Sequence, residues 1–133
     1  MRYPKAISLM NNLKDDAAAA LQQINSLSKG ELEALFLFPG ELAVFAGHFP
    51  GRPIVPGVLE VEMVRAAMER FTGLELRIIS VERAKFLREV KPGDTVKAQI
   101  VFALSGGRYT VRGKSAVNGE KAAQVEMTLE KQS

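Results

Sequence analysis

The chain of 133 residues has a single histidine, and its setting is as informative as its side chain. His48 lies in Gly47-His48-Phe49-Pro50-Gly51-Arg52-Pro53-Ile54-Val55-Pro56-Gly57-Val58-Leu59, which holds three of the six prolines and three of the eleven glycines. So many fixed or permissive residues impose a backbone path that neither strand nor helix would follow. Glu62 comes just after, inside what the pattern makes a helix. An imidazole and a carboxyl held by stiff backbone can move protons to and from a small polar substrate. With an ordinary pKa of about 6.5, His48 can serve as a neutral base near neutral pH. A lone histidine is more often a structural hydrogen-bonding residue, but the Phe-Pro-Gly setting shifts the reading toward function.

The other chemical candidates have competing readings. On a helical wheel Glu62 shares a polar strip with Arg65 and Glu69. Spacing alone favours a solvated face with i,i+3 and i,i+4 ion pairs, worth roughly tenths of a kcal/mol. Glu60 is a rival carboxylate, but in the first turn its charge would simply complement the helix dipole. Pro56-Gly57 is either an ordinary helix entry or the place where the Gly57 amide points at a bound anion or carbonyl oxygen. Arg83, Lys85 and Arg88 read first as a solvated strand and second as a docking patch.

These residues need elements to position them. From Gly57, the positions Val58, Val61, Val64, Met68 and Phe71 form an apolar stripe that Leu59, Met63, Ala66 and Ala67 widen nearly all round. Such a helix belongs in a core, and Thr72-Gly73 ends it. Upstream, residues 17–24 suit a helix by propensity. A hairpin of 20–27 with 31–38 fits as well, because Leu32, Ala34, Phe36 and Phe38 alternate after Ser28-Lys29-Gly30. Residues 1–15 carry no clear period. Downstream, residues 76–88 run to Lys91-Pro92-Gly93-Asp94, and Val96 to Leu104 alternate up to Ser105-Gly106-Gly107. Residues 108–117 meet 120–130 across Asn118-Gly119, the strongest hairpin signal present. One helix with an antiparallel meander predicts an α+β domain over residues 1–133, the sheet wrapped around a long central helix. The exposed edge that remains would be closed by dimerisation.

Composition narrows the function. Apolar residues make up 47% and charged residues 25%, as in a folded soluble protein. The absence of cysteine excludes disulfides and thiolate zinc sites. No apolar run reaches membrane-spanning length and no signal-peptide core follows Met1, so a cytoplasmic location is expected. A net charge of +3 is too slight to argue for nucleic acid.

The run from His48 to Leu59, with Glu62, resembles the HFPGxPxxPGVLxxE signature of the hot-dog-fold 3-hydroxyacyl-acyl-carrier-protein dehydratases of FabZ and FabA type. Residues 84–94, Ala84-Lys85-Phe86 through Pro92-Gly93-Asp94, resemble the family's A-x-F-x-x-x-V-x-P-G-D strand and turn. The first forty residues look closer to divergent relatives from gene clusters for specialised acyl chains, such as aryl polyenes.

The resemblance implies a hot-dog fold and dehydration of an acyl thioester borne by acyl carrier protein. His48 would take the C2 proton and Glu62 would protonate the departing C3 hydroxyl. The Gly57 amide would polarise the thioester carbonyl, with Phe49, Pro56 and Val58 also contacting substrate. No metal or cofactor is implied. Isomerising relatives carry aspartate at the Glu62 position, so glutamate favours simple dehydration. The implied assembly is a homodimer or higher homo-oligomer, or a heterodimer with a paralogue, with His48 of one protomer facing Glu62 of the other. A hot-dog thioesterase and a weakly active or non-catalytic acyl-binding subunit are the alternatives.

One position departs from the pattern. The family's usual glutamine four residues after the acid is Ala66 here, and Arg65 precedes it. An Arg65–Glu62 ion pair would favour the carboxylate and work against a general acid.

Overall fold

The computed structural model describes residues 5–38 and 57–133, with side chains from residue 13 onward. Eight elements follow in chain order: α1 (Lys5–Ala20), β1 (Leu21–Ser28), β2 (Glu31–Leu37), α2 (Gly57–Thr72), β3 (Leu76–Phe86), β4 (Thr95–Ser105), β5 (Arg108–Val117) and β6 (Glu120–Lys131). The fold is α+β and hot-dog-like, with α2 held between the sheet and α1.

The ambiguous segment before Gly30 resolves into both readings in succession. Helix α1 runs to Ala20, and Leu21 opens a strand whose register with β2 runs from Leu21↔Phe36 to Ser28↔Glu31. Leu13, Asp16, Ala17 and Ala20 are buried, at i, i+3, i+4 and i+7. The helical face is real, but alanine gives it little apolar contrast in sequence. Among the described residues there are thus two helices where one was expected.

The six described strands lie in the order β1-β2-β4-β5-β6-β3, every neighbouring pair antiparallel. The expected meander therefore holds only for β4, β5 and β6. Strand β3 crosses to the far edge beside β6, and β4 pairs with β2 instead. Alternation then sorts the side chains. Leu32, Ala34 and Phe36 of β2, Val96, Ala98 and Ile100 of β4, and Val125, Met127 and Leu129 of β6 are all buried. Leu59, Met63, Ala67 and Met68 of α2 join the same core. Fully burying a leucine or methionine side chain contributes about 1.5–3 kcal/mol, so this one face accounts for much of what holds α2 in place.

Two close approaches fix the helix against the sheet. A Cβ at Gly113 on β5 would come within 2.8 Å of Val64 Cγ2, so helix and strand meet where the strand has no side chain. A Cβ at Gly57 would come within 2.7 Å of the Phe86 ring at the end of β3. Helix α2 ends where predicted: Gly73 takes a φ of 74° and its N–H donates to the Glu69 carbonyl at 2.8 Å.

Candidate active site

The first turns of α2 carry an unusual load of buried polarity. Among the described residues, three buried side-chain polar atoms have no hydrogen-bond partner: Glu60 Oε1, Glu62 Oε2 and Arg65 Nε. All three lie within six residues of one helix. Buried polar groups are nearly always satisfied in native proteins, and each exception calls for an explanation. A site completed by other groups is one.

Glu62 is only 9% exposed, which overturns the solvated-face reading. Its Oε2 lies 2.6 Å from Arg65 Nη2, an i,i+3 ion pair between largely buried side chains. The contact is close but off-axis, so it supplies charge without a well-aligned hydrogen bond. Burial raises the Glu62 carboxyl above its ordinary range, and the Arg65 and Lys14 cations pull it partly back. Glu69 adds to the rise. Burial prevails, so the carboxyl holds a proton more readily than a free one despite its ion pair. The expected Arg65–Glu69 pairing gives way to another role, since Glu69 Oε2 accepts from the Leu76 N–H at 2.8 Å and fixes the start of β3.

Glu60 differs from a dipole-complementing surface carboxylate. It is 4% exposed, and burial pushes its pKa up to about 8. It belongs to the stripe of Gly57 and Val64, whose close approaches are to β3 and β5, so it turns toward the sheet while Glu62 feels Lys14 of α1. Near neutral pH it is mostly the neutral acid.

Of the remaining candidates, Gly57 opens α2 under the Phe86 ring and Val58 is half exposed beside it. His48, Phe49 and Pro56 lie outside the described residues. Sequence reasoning gave no role to Phe86, although the residue stands in one of the quoted motifs, nor to Lys14, whose helix was not legible. In the basic cluster, Arg88 pairs with Glu120 at 2.7 Å, while Arg83 and Lys85 are exposed on β3. Among the described residues no group of three or more His, Cys, Asp or Glu side chains is arranged to hold a metal ion.

Comparison with known proteins gives this helix a context. The ApeI dehydratase family profile matches residues 23–126. The 3-hydroxyacyl-[acyl-carrier-protein] dehydratase FabZ of Clostridium acetobutylicum is 37% identical over 94 residues, covering 65% of this chain and 67% of the relative. The FabZ of Enterococcus faecalis is 36% identical with the same coverage. Among solved structures, the dehydratase heterocomplex ApeI:P from Xenorhabdus doucetiae superposes with a TM-score of 0.70 at 22% identity, over 84% of this chain and 96% of that one. A Ralstonia eutropha protein described as a putative thioesterase also shares the fold, with a TM-score of 0.61 at 14% identity, over 97% of this chain and 91% of that one. The chain belongs to the ApeI dehydratase family and is a hot-dog-fold dehydratase related to the FabZ-type enzymes.

Proposed function

We propose that the protein removes water from a 3-hydroxyacyl thioester borne by acyl carrier protein, giving the trans-2-enoyl thioester. The observation that carries this reading is Glu62: a buried carboxyl, raised by burial and set one turn into the helix that Gly57 opens. Loss of water needs an acid for the C3 oxygen, because hydroxide leaves poorly unless protonated. A raised carboxyl retains that proton nearer neutral pH. His48 takes the C2 proton, and the Gly57 N–H donates to the thioester carbonyl oxygen, stabilising charge that develops as the C–H bond breaks. Phe49, Pro56 and Val58 line the acyl path.

The assembly belongs to the same proposal. Among the described residues strand β3 hydrogen-bonds to β6 on one side only, and Val81, Phe86 and Leu87 are exposed along or beside it. An exposed 11-residue edge with apolar side chains is a template for pairing with another chain. A second protomer of this chain there would bring its own His48 loop toward Glu62. Proline at positions 50, 53 and 56 restricts the backbone torsions available between His48 and α2, which opposes bringing His48 back onto its own helix. A paralogue is the second candidate for the partner, favoured by the heterocomplex found in the Xenorhabdus relative. The setting proposed is cytoplasmic; no described helix is long and apolar enough to cross a membrane.

Mass spectrometry of a panel of 3-hydroxyacyl thioesters, on acyl carrier protein and on coenzyme A, tests the reaction. Loss of one water with the thioester intact is expected. Free acid and free thiol would favour the thioesterase reading, and binding without turnover the non-catalytic subunit.

A further inference from the structure

The ion pair on α2 is a poor device for stability. Arg65 and Glu62 side chains are 14% and 11% exposed, so both charges are largely removed from water. Such a pair gains little over apolar residues of similar volume, and among the described residues Arg65 Nε is also left buried without a partner. Its geometry suits catalysis better. We propose that Arg65 is the positioning residue of this site, holding Glu62 by Oε2 so that Oε1 meets the substrate hydroxyl and stabilising the carboxylate that proton transfer creates. The proposal rests on the dehydratase reading and deepens it.

The step balances. The O–H bond at Glu62 Oε1 breaks as its proton passes to the C3 hydroxyl, and the C3–O electrons leave with water. The C2–H electrons become the new double bond, and the C2 proton goes to the base. Negative charge appears on the Glu62 carboxylate, beside a guanidinium already in place. An interaction stronger after the proton leaves than before it lowers the barrier rather than merely tightening binding. Burial and Arg65 thus divide the task, the first keeping the acid loaded and the second easing its discharge. The charged groups facing Glu62 among the described residues are Arg65 and Glu69 on α2 and Lys14 on α1. Of these, Arg65 touches the carboxylate directly.

The test compares wild type, Arg65→Gln and Arg65→Lys, by carbon-13 NMR titration of the Glu62 carboxyl and by dehydration kinetics across pH. Removing the cation in Arg65→Gln is expected to move the Glu62 midpoint to higher pH. One limb of the kcat/KM profile should move with it. The same variant should lower kcat by on the order of tenfold to a hundredfold, the scale carried by a displaced catalytic group, with KM little changed. Arg65→Lys should return the midpoint and much of kcat. If Arg65→Gln does not fold, Arg65→Met fills the same volume without a buried polar head and takes its place. An unmoved midpoint, or kcat unchanged without the cation, overturns the positioning role while leaving dehydration standing. A wild-type protein that removes no water from any substrate overturns the dehydratase reading, and this proposal with it.

Discussion

The β4–β5–β6 meander and the first turns of α2 are built on opposite terms. The meander satisfies its own polar groups through regular pairing. Its strands pair residue for residue from Val96↔Val117 to Ser105↔Arg108 and from Arg108↔Glu130 to Val117↔Glu120, with one irregularity at Ser115/Ala116. Its two turns, Gly106-Gly107 and Asn118-Gly119, all take positive φ, as tight hairpins with the sheet's twist require. Among the described residues it contributes no buried polar side-chain atom without a partner. Helix α2 contributes all three. One region spends its sequence on agreement between local preference and fold. The other tolerates buried carboxyls and a half-satisfied guanidinium, a pattern expected where function overrides stability.

The largest expected effect lies on the α2 side. Glu62→Gln and His48→Ala should each lower dehydration by about 10² to 10⁴-fold, the range for a lost general acid or base, with folding unchanged. Assay by mass spectrometry beside far-ultraviolet circular dichroism checks both halves. If Glu60→Gln is the dead variant instead, the acid has been assigned to the wrong carboxyl.

Glu60 supplies the next largest effect, in stability rather than rate. Its folded pKa of about 8 lies above the ordinary value of 4.5, so between those pH values the folded state binds the extra proton. Stability contributed by this proton is present below about pH 4.5 and is lost as pH rises toward 8. At pH 7 the penalty is on the order of 3 kcal/mol. Glu60→Gln mimics the neutral acid and removes that dependence. Urea unfolding at fixed protein concentration should show wild type weakening relative to Glu60→Gln between pH 5 and 8, while the variant keeps most activity. Parallel pH dependence in both proteins would mean that Glu60 is not held neutral by burial.

The meander should answer to packing alone. Ile100→Val on β4 removes one buried methyl from the core, a change that costs about 0.5–1.5 kcal/mol. Thermal unfolding should register the loss, with activity per folded molecule nearly unchanged. A chemical defect exceeding the stability defect would erase the contrast between the two regions.

What could be read in sequence follows the same division. Alternation in β4, the Asn118-Gly119 hairpin and the Gly57 and Thr72-Gly73 limits of α2 were legible because local preference and fold agree there. The place of β3 beside β6 was not, because pairing between distant strands leaves no local mark. Helix α1 was hidden by an alanine-rich face. At the candidate site, residue types and spacing were legible for Gly57 and for Glu62 with Arg65 at i,i+3, while the His48 run lies outside the described residues. Burial was not legible. A helical wheel places Glu62, Arg65 and Glu69 on one polar strip, and only tertiary packing turns that strip inward and pushes Glu60 and Glu62 upward.

The central claim is that the unfinished half of the site on α2 is completed by another protomer. His48→Ala and Glu62→Gln proteins, each inactive, can be unfolded and refolded together. Random pairing across a two-fold interface makes about half the dimers mixed, and each mixed dimer has one site with both His48 and Glu62 intact, so roughly a quarter of wild-type activity should return. If His48 and Glu62 of a site belong to one chain, every site in the mixture carries a lesion. No activity would then return, contradicting the claim.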